Sequence, residues 1–334
     1  GIINVVVALS FYGPFPELFR KFRSVMVEAI LALLILIAGF IGADELTSLA
    51  EEALYPDPVI MSRQSLYQRL VVTRHNEDIR LYLNGNLQFS AMDEYRYHEC
   101  LVHPTLCAHP KPTKVLVMGG GDGLGVREIL KDSRVESVTL VDLDPEMVRL
   151  FSTHPLLTSL NKSSLNDPRV HVINADAFVW LQHHPDKFDL AIIDFPDPSN
   201  YSVGKLFTTS FYRSLARHLN APGLCSVQST SPLFARRSYW CVVNTMAAAG
   251  FHVKPYHIYV PTFGEWGFTM GQRDGEAQID TSRLVGGMRF LTATMIPDLF
   301  HFPADMAAMD TPINRLFDQV LVRFYDQDWR HVVE

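Results

Sequence analysis

From residue 114 onward, short valine- and isoleucine-rich runs alternate with stretches of helical spacing. Residues 114–118, 138–141, 170–174, 188–193 and 224–228 read as buried strands, and 126–130, 177–184, 209–219 and 233–249 as helices. Residues 251–259 and 266–270 close the set as strands. Such alternation predicts an α/β fold: a mostly parallel, doubly wound sheet, covered on both faces, that binds ligands at the carboxyl ends of its strands. Before residue 114 the pattern changes. Residues 68–74 alternate and are rich in β-branched side chains, and 79–83 and 87–89 flank Asn84-Gly85, a hairpin turn. We therefore expect a small N-terminal β-hairpin unit over 58–92, led in by a proline-flanked linker at 57–61. A helix over 93–106, carrying Tyr95, Tyr97, His98 and Glu99, opens a domain that runs from 93 to 334. From 274 onward the chain reads only as irregular and helical pieces.

The start of the chain is different again. Residues 24–43 are almost wholly apolar, with Glu28 the only charge, and are long enough for a transmembrane helix. Residues 2–11 are apolar but too short to cross. The expectation is a membrane anchor over 1–45, the end of a larger multi-span region, rather than a signal peptide or a buried core helix. The lipid bilayer is then a partner. Arg20, Lys21 and Arg23 precede the span, and Asp44, Glu45, Glu51 and Glu52 follow it. The positive-inside rule would put the following domain outside the cytoplasm. A cytosolic nucleoside cosubstrate, argued next, requires the opposite. The expected place is the cell membrane, with the catalytic domain on its cytoplasmic face.

A chain of 334 residues has ample core, and its net charge of −7 without a basic stripe argues against nucleic acid. Four cysteines, Cys100, Cys107, Cys225 and Cys241, lack paired or metal-type spacing and read as reduced thiols; the histidines lack ligand spacing, so no metal is expected.

The chemistry gathers at the predicted strand ends. Gly119, Gly120, Gly121 and Gly123 follow the first valine run and lead into a helix, an arrangement that brings a ligand close to backbone N–H groups. Asp142 ends the next strand about twenty residues on, where an acid can accept both hydroxyls of a ribose. Asp176 and Asp194 end two further strands. In Asp194-Phe195-Pro196-Asp197-Pro198, two carboxylates are held on a proline-stiffened loop. Close acids raise one another's pKa and hold a cation between them, which suits taking a proton from an ammonium. Asp122, inside the glycine loop, would repel the carboxylate of S-adenosylmethionine and pair with an amine, so it favours a decarboxylated cosubstrate. The plain alternatives are a packing turn for the glycines, solvated strand-end acids, and a helix cap for Asp122.

The stretches SLYQRLVV, LNGNLQF, DEYRYHE, VLVMGGGDG, VDLD, NADAF, DFPDP and VPTFGEWGF, from about residue 64 to 270, carry a resemblance. In order and spacing they resemble the polyamine aminopropyltransferases, the spermidine synthase family, and the N-terminal span resembles that of the long, membrane-bound members. The resemblance implies a Rossmann-like, methyltransferase-type fold and transfer of the aminopropyl group of decarboxylated S-adenosylmethionine to putrescine, with no cofactor. It implies Asp194 as proton acceptor, with Asp197 and Tyr97 holding the attacking amine. Gln68, Gly119, Gly121, Asp122, Asp142, Asp176 and Ala177 would bind the cosubstrate, and Gln88 and His98 would line the polyamine cavity with Tyr97, Asp122, Asp194 and Asp197. A homo-oligomer is implied as well. The chain departs from the family at Phe195-Pro196, where small residues are usual, at Tyr201, and at Phe263, which lacks a tyrosine hydroxyl. A small-amine methyltransferase and a non-catalytic membrane polyamine-binding protein are the competing readings.

Overall fold

The first valine run becomes β5 (Lys114–Gly119), the centre of a seven-stranded sheet. Its consecutive side chains feed opposite layers. Val115 and Val117 pack with Leu101, Leu106 and Val126, whereas Leu116 and Met118 pack with Phe207, Phe211 and Leu215. A strand buried on both faces has no polar alternation, which is why it reads as one continuous apolar run. The computed structural model describes residues 23–41 and 54–333.

The other strands are β6 (Ser137–Asp142), β7 (Val170–Asn174), β8 (Phe188–Asp194), β9 (Leu219–Gln228), β10 (His252–Val260) and β11 (Gly264–Gln272), in the order β10-β11-β9-β8-β5-β6-β7. β5 through β9 are parallel where they pair, but β11 runs antiparallel to both β9 and β10. The expected helix periods correspond to α2 (Glu94–Ala108), α3 (Leu124–Ile129), α6 (Ala177–His183), α8 (Thr209–Arg217) and α9 (Arg236–Ala248), and the structure adds α4 (Pro145–Thr153), α5 (Pro155–Leu160), α7 (Tyr201–Gly204) and α10 (Val320–Val333). This is an α/β Rossmann-like architecture. Strand order reverses beside β5, where β6 lies on one flank and β8 on the other, and such a switch point opens a crevice beyond the strand ends. In register, Gly119 faces Asp194 and Asp142 faces Asn174.

The chain divides into a smaller unit, Gly1–Ile60 with Thr73–His75, and a larger one, Met61–Val72 with Asn76–Glu334. Four short strands, β1 (Val59–Gln64), β2 (Arg69–His75), β3 (Asp78–Leu83) and β4 (Asn86–Ser90), form a second sheet in that order. Asn84 and Gly85 both take positive φ, as a two-residue hairpin turn between β3 and β4 demands. The expected linker at 57–61 is corrected: from Val59 on it is strand, because Pro56 and Pro58 both precede the first residue that must pair.

The expected membrane span is corrected too. A helix, α1 (Arg23–Ile41), forms there, with Val27, Leu31, Leu34 and Ile35 exposed. Among the described residues no helix is long and apolar enough to cross a membrane. The apolar run at 2–11, the basic residues Arg20 and Lys21, and the acids at 44–52 lie outside the described residues.

One buried acid ties residues 289–291 of the tail to the core. Glu99 on α2 accepts backbone N–H bonds from Arg289 (2.7 Å), Phe290 (3.0 Å) and Leu291 (2.8 Å). Glu99→Ala would leave these donors without a partner, so we expect a loss of about 3 kcal/mol, read in chemical denaturation. A midpoint unchanged from wild type would show that the tail is held by its apolar contacts instead.

Candidate active site

Parallel register brings four acids to the crevice. Gly119 has φ of 76°, and a Cβ there would lie 2.3 Å from the Asp194 carbonyl oxygen. Only glycine lets the loop fold down onto the end of β8. One residue further, a Cβ on Gly121 would lie 2.8 Å from the Asp142 carboxyl carbon. The loop is thus drawn tight against both acids.

Asp194 sits half-buried at the end of β8, and its Oδ1 accepts the Tyr97 hydroxyl at 2.5 Å. Burial raises the Asp194 pKa, against the pull of His98 and Tyr97. The Tyr97 phenol is pushed well up, first by burial and then by Asp194, Asp197 and Asp122. One side chain therefore senses all three acids. Asp122 is buried, and its Oδ1 accepts the Leu124 N–H at 2.9 Å at the head of α3. It is therefore a local cap and, at the same time, a charge facing the crevice. Burial pushes it up to about 6, with Asp194 adding to the rise.

Asp197 accepts from Gln228 Nε2 at 3.1 Å and Thr230 Oγ1 at 3.2 Å; burial still holds it at about 6. Gln228 also donates to the Phe195 carbonyl at 2.7 Å, so one amide from the end of β9 fixes the acid loop at two points. Phe195 itself turns inward, 6% exposed, against Phe207 and Phe211.

His98 is the cation of the site. Burial pulls its pKa down, but the Glu94 hydrogen bond and charge outweigh this and hold it at about 9. Its Nδ1 lies 2.8 Å from Glu94 Oε2, and Glu94 is in turn gripped by both terminal nitrogens of Arg127 at 2.9 Å. Asp93, just before α2, accepts the Thr262 N–H at 2.7 Å, which ties the 261–263 turn to the helix bearing Tyr97. Phe263 packs on Trp266, with ring centroids 5.3 Å apart.

On the nucleoside side, Asp142 accepts from the Gly121 N–H (2.9 Å) and the Asp144 N–H (2.8 Å), and burial raises it to about 6. Gln68 Nε2 donates to Asp144 Oδ2 at 2.9 Å, and Ser65 Oγ to the same oxygen at 2.7 Å. Gln68 thus reaches this strand end through Asp144, a residue the sequence did not single out. Asp176 caps α6, receiving the Phe178 N–H at 2.9 Å, and pairs with Lys205 Nζ at 2.5 Å; Ala177 is the first residue of that helix. Gln88 donates only weakly, to the carbonyls of Asn86 (3.3 Å) and Leu87 (3.4 Å), and no described contact joins it to the acids. Tyr201 is 60% exposed. Among the described residues no group of three potential ligands could hold a metal ion.

Sequence reasoning missed Gln228, Thr230, Glu94 and Lys205. The first two lie at or just beyond a strand end, a signal that was available.

Buried acids with raised pKa, set beside a glycine loop and one imidazolium, make a cleft that favours a cationic ligand with a nucleoside end. A family model described as the spermine/spermidine synthase domain matches residues 94–283. A polyamine aminopropyltransferase of Leptospira interrogans serogroup Icterohaemorrhagiae serovar copenhageni (strain Fiocruz L1-130) is 50% identical over 335 residues, covering 100% of this chain and 67% of that protein. Polyamine aminopropyltransferase 2 of Ralstonia nicotianae (strain ATCC BAA-1114 / GMI1000) is 52% identical over 301 residues, covering 89% of this chain and 58% of its own length. The chain thus spans from under three fifths to about two thirds of these relatives. A solved spermidine synthase bound to the transition-state analogue AdoDATO superposes with a TM-score of 0.67 at 26% identity, over 73% of this chain and 85% of that one.

We expect Gly121→Ala to lower the thermal unfolding midpoint, because the new methyl meets the Asp142 carboxylate; a midpoint equal to that of wild type would show that Asp142 gives way at no cost.

Proposed function

Because the chain belongs to the spermine/spermidine synthase family, we propose that it transfers the aminopropyl group of decarboxylated S-adenosylmethionine to putrescine, giving spermidine and methylthioadenosine. The observation that carries this is Asp194: a carboxylate with a raised pKa, oriented by Tyr97 and pressed under the glycine loop.

The acceptor arrives as an ammonium, with a pKa near that of lysine, about 10. It loses one proton to Asp194, which the Tyr97 hydroxyl holds by one oxygen while the other stays available. The freed lone pair attacks the carbon next to the sulfonium. That carbon–sulfur bond breaks with its electron pair going to sulfur, and a neutral thioether leaves. The new secondary ammonium keeps the positive charge, and Asp194 returns its proton to solvent. Asp197 steadies the amine, and holding nitrogen and carbon in line supplies much of the acceleration. Asp122 offers its charge to the cosubstrate amine and repels a carboxylate in that place. His98, with its pKa at about 9, stays protonated and keeps the acids from repelling one another outright. For location we propose the cytoplasmic side, supported by the cytosolic supply of such a cosubstrate.

Asp194→Asn is expected to lower kcat by about a thousandfold while methylthioadenosine binds nearly as before. A variant with near-wild-type turnover would remove Asp194 as the base. Asp122→Ala is expected to narrow the preference for the decarboxylated cosubstrate, measured by competition binding; an unchanged ratio would end the repulsion argument. The pH profile has a definite sign. Asp122 and Asp197 titrate near 6 and must be ionised to hold cations, so kcat/KM for putrescine should fall as pH drops through about 6. A flat profile from pH 5 to 8 would contradict the role of these acids.

A further inference from the structure

We propose that Thr230, just beyond the end of β9, is a positioning residue for the acceptor amine: its backbone is held under strain so that its hydroxyl and N–H together aim the Asp197 carboxylate. The proposal rests on the reaction assigned above and adds to it a residue that sets acceptor affinity.

Thr230 is 1% exposed and has a φ of 61°. Among the described residues it is the one β-branched side chain in the left-handed region, where a branched Cβ crowds its own backbone. A glycine would turn the chain here without that cost. The surroundings hold the residue in place. Its carbonyl accepts the Gly267 N–H at 2.7 Å, and the Gly267 carbonyl accepts the Ser229 N–H at 2.9 Å. A Cβ at Gly267 would lie 2.9 Å from the Thr230 carbonyl oxygen and run into the Tyr239 ring, so β11 comes this close only through a glycine. On the other side, Ser231 Oγ accepts the N–H groups of Leu233 (3.3 Å) and Phe234 (3.1 Å), which starts the chain toward α9. Strain that the neighbours over-determine points to the work of the strained residue.

Thr230 acts on Asp197 by two routes. Its hydroxyl donates to Asp197 Oδ2 at 3.2 Å. Its N–H donates to Gln228 Oε1 at 3.0 Å, which turns that amide so that Nε2 donates to Asp197 Oδ1 at 3.1 Å and to the Phe195 carbonyl at 2.7 Å. One donor on each oxygen fixes the plane of the carboxylate. The φ angle sets the N–H and the side chain relative to one another, so a relaxed backbone would part the two routes. Asp197 is only half-buried, so a carboxylate of fixed plane still meets an incoming ammonium. A carboxylate free to turn would have to be ordered by the ammonium it binds, with a loss of affinity.

The test uses the full chain. Thr230→Val keeps the shape and the strain and removes the hydroxyl. We expect KM for putrescine to rise about fivefold to tenfold, with kcat and methylthioadenosine affinity held. Thr230→Ser, which keeps the hydroxyl, should restore the wild-type KM. Thr230→Gly removes hydroxyl and strain together: its KM should rise as in Thr230→Val, and it should melt above Thr230→Val. In an Asp197→Ala background, Thr230→Val should add nothing to KM. An active Thr230→Val with wild-type KM would overturn the proposal, as would a Thr230→Ser that fails as Thr230→Val does. A Thr230→Gly that melts below Thr230→Val would remove the strain from it. Should Thr230→Val not fold, KM in Thr230→Gly against Thr230→Ser decides the same question. A wild-type chain that forms no spermidine would instead overturn the assigned reaction.

Discussion

The constraint on which this molecule turns is the approach of a glycine backbone to the end of β8. A Cβ at Gly119 would meet the Asp194 carbonyl at 2.3 Å, so the loop lies as near to the strand end as chain can lie. Asp194 is thereby walled off by the loop on one side, and Asp142 is close enough to accept the Gly121 N–H. A bulkier loop would open the crevice to solvent and return both acids to ordinary carboxylate behaviour.

Acids buried without partners are costly, and this site divides that cost unevenly. Asp176 has Lys205 and two backbone donors, and its pKa is lowered. Asp122 and Asp194 have neutral donors and share one imidazolium, Asp197 has neutral donors alone, and all three pKa values are raised. The difference separates a structural acid from acids that wait for a charged ligand. The Glu94–Arg127 pair behind His98 keeps the imidazolium in place, so the positive charge does not swing into the space an ammonium would take.

The departures from the family pattern find physical explanations in the fold. Phe195 points into the layer around Phe207 and Phe211, so its bulk does not narrow the cleft between the two loop acids. Phe263 lacks a hydroxyl, yet its turn is fixed through Thr262 to Asp93, and its ring packs on Trp266. At Tyr201 the ring is largely exposed.

Periodicity and glycine spacing determined the sheet, the crevice and the identity of Asp194, Asp142 and Asp122, because strand ends and tight turns are local properties of the chain. The hairpin at Asn84-Gly85 was legible for the same reason. Long-range partners were not. The pairing of Gln68 with Asp144, the grip of Gln228 and Thr230 on Asp197, and the antiparallel pairing of β11 with β9 join residues distant in sequence, and no local pattern encodes them. Over 24–43 hydropathy counts apolar residues, whereas only the fold decides which of them share a helix, and among the described residues no helix is long and apolar enough to cross a membrane.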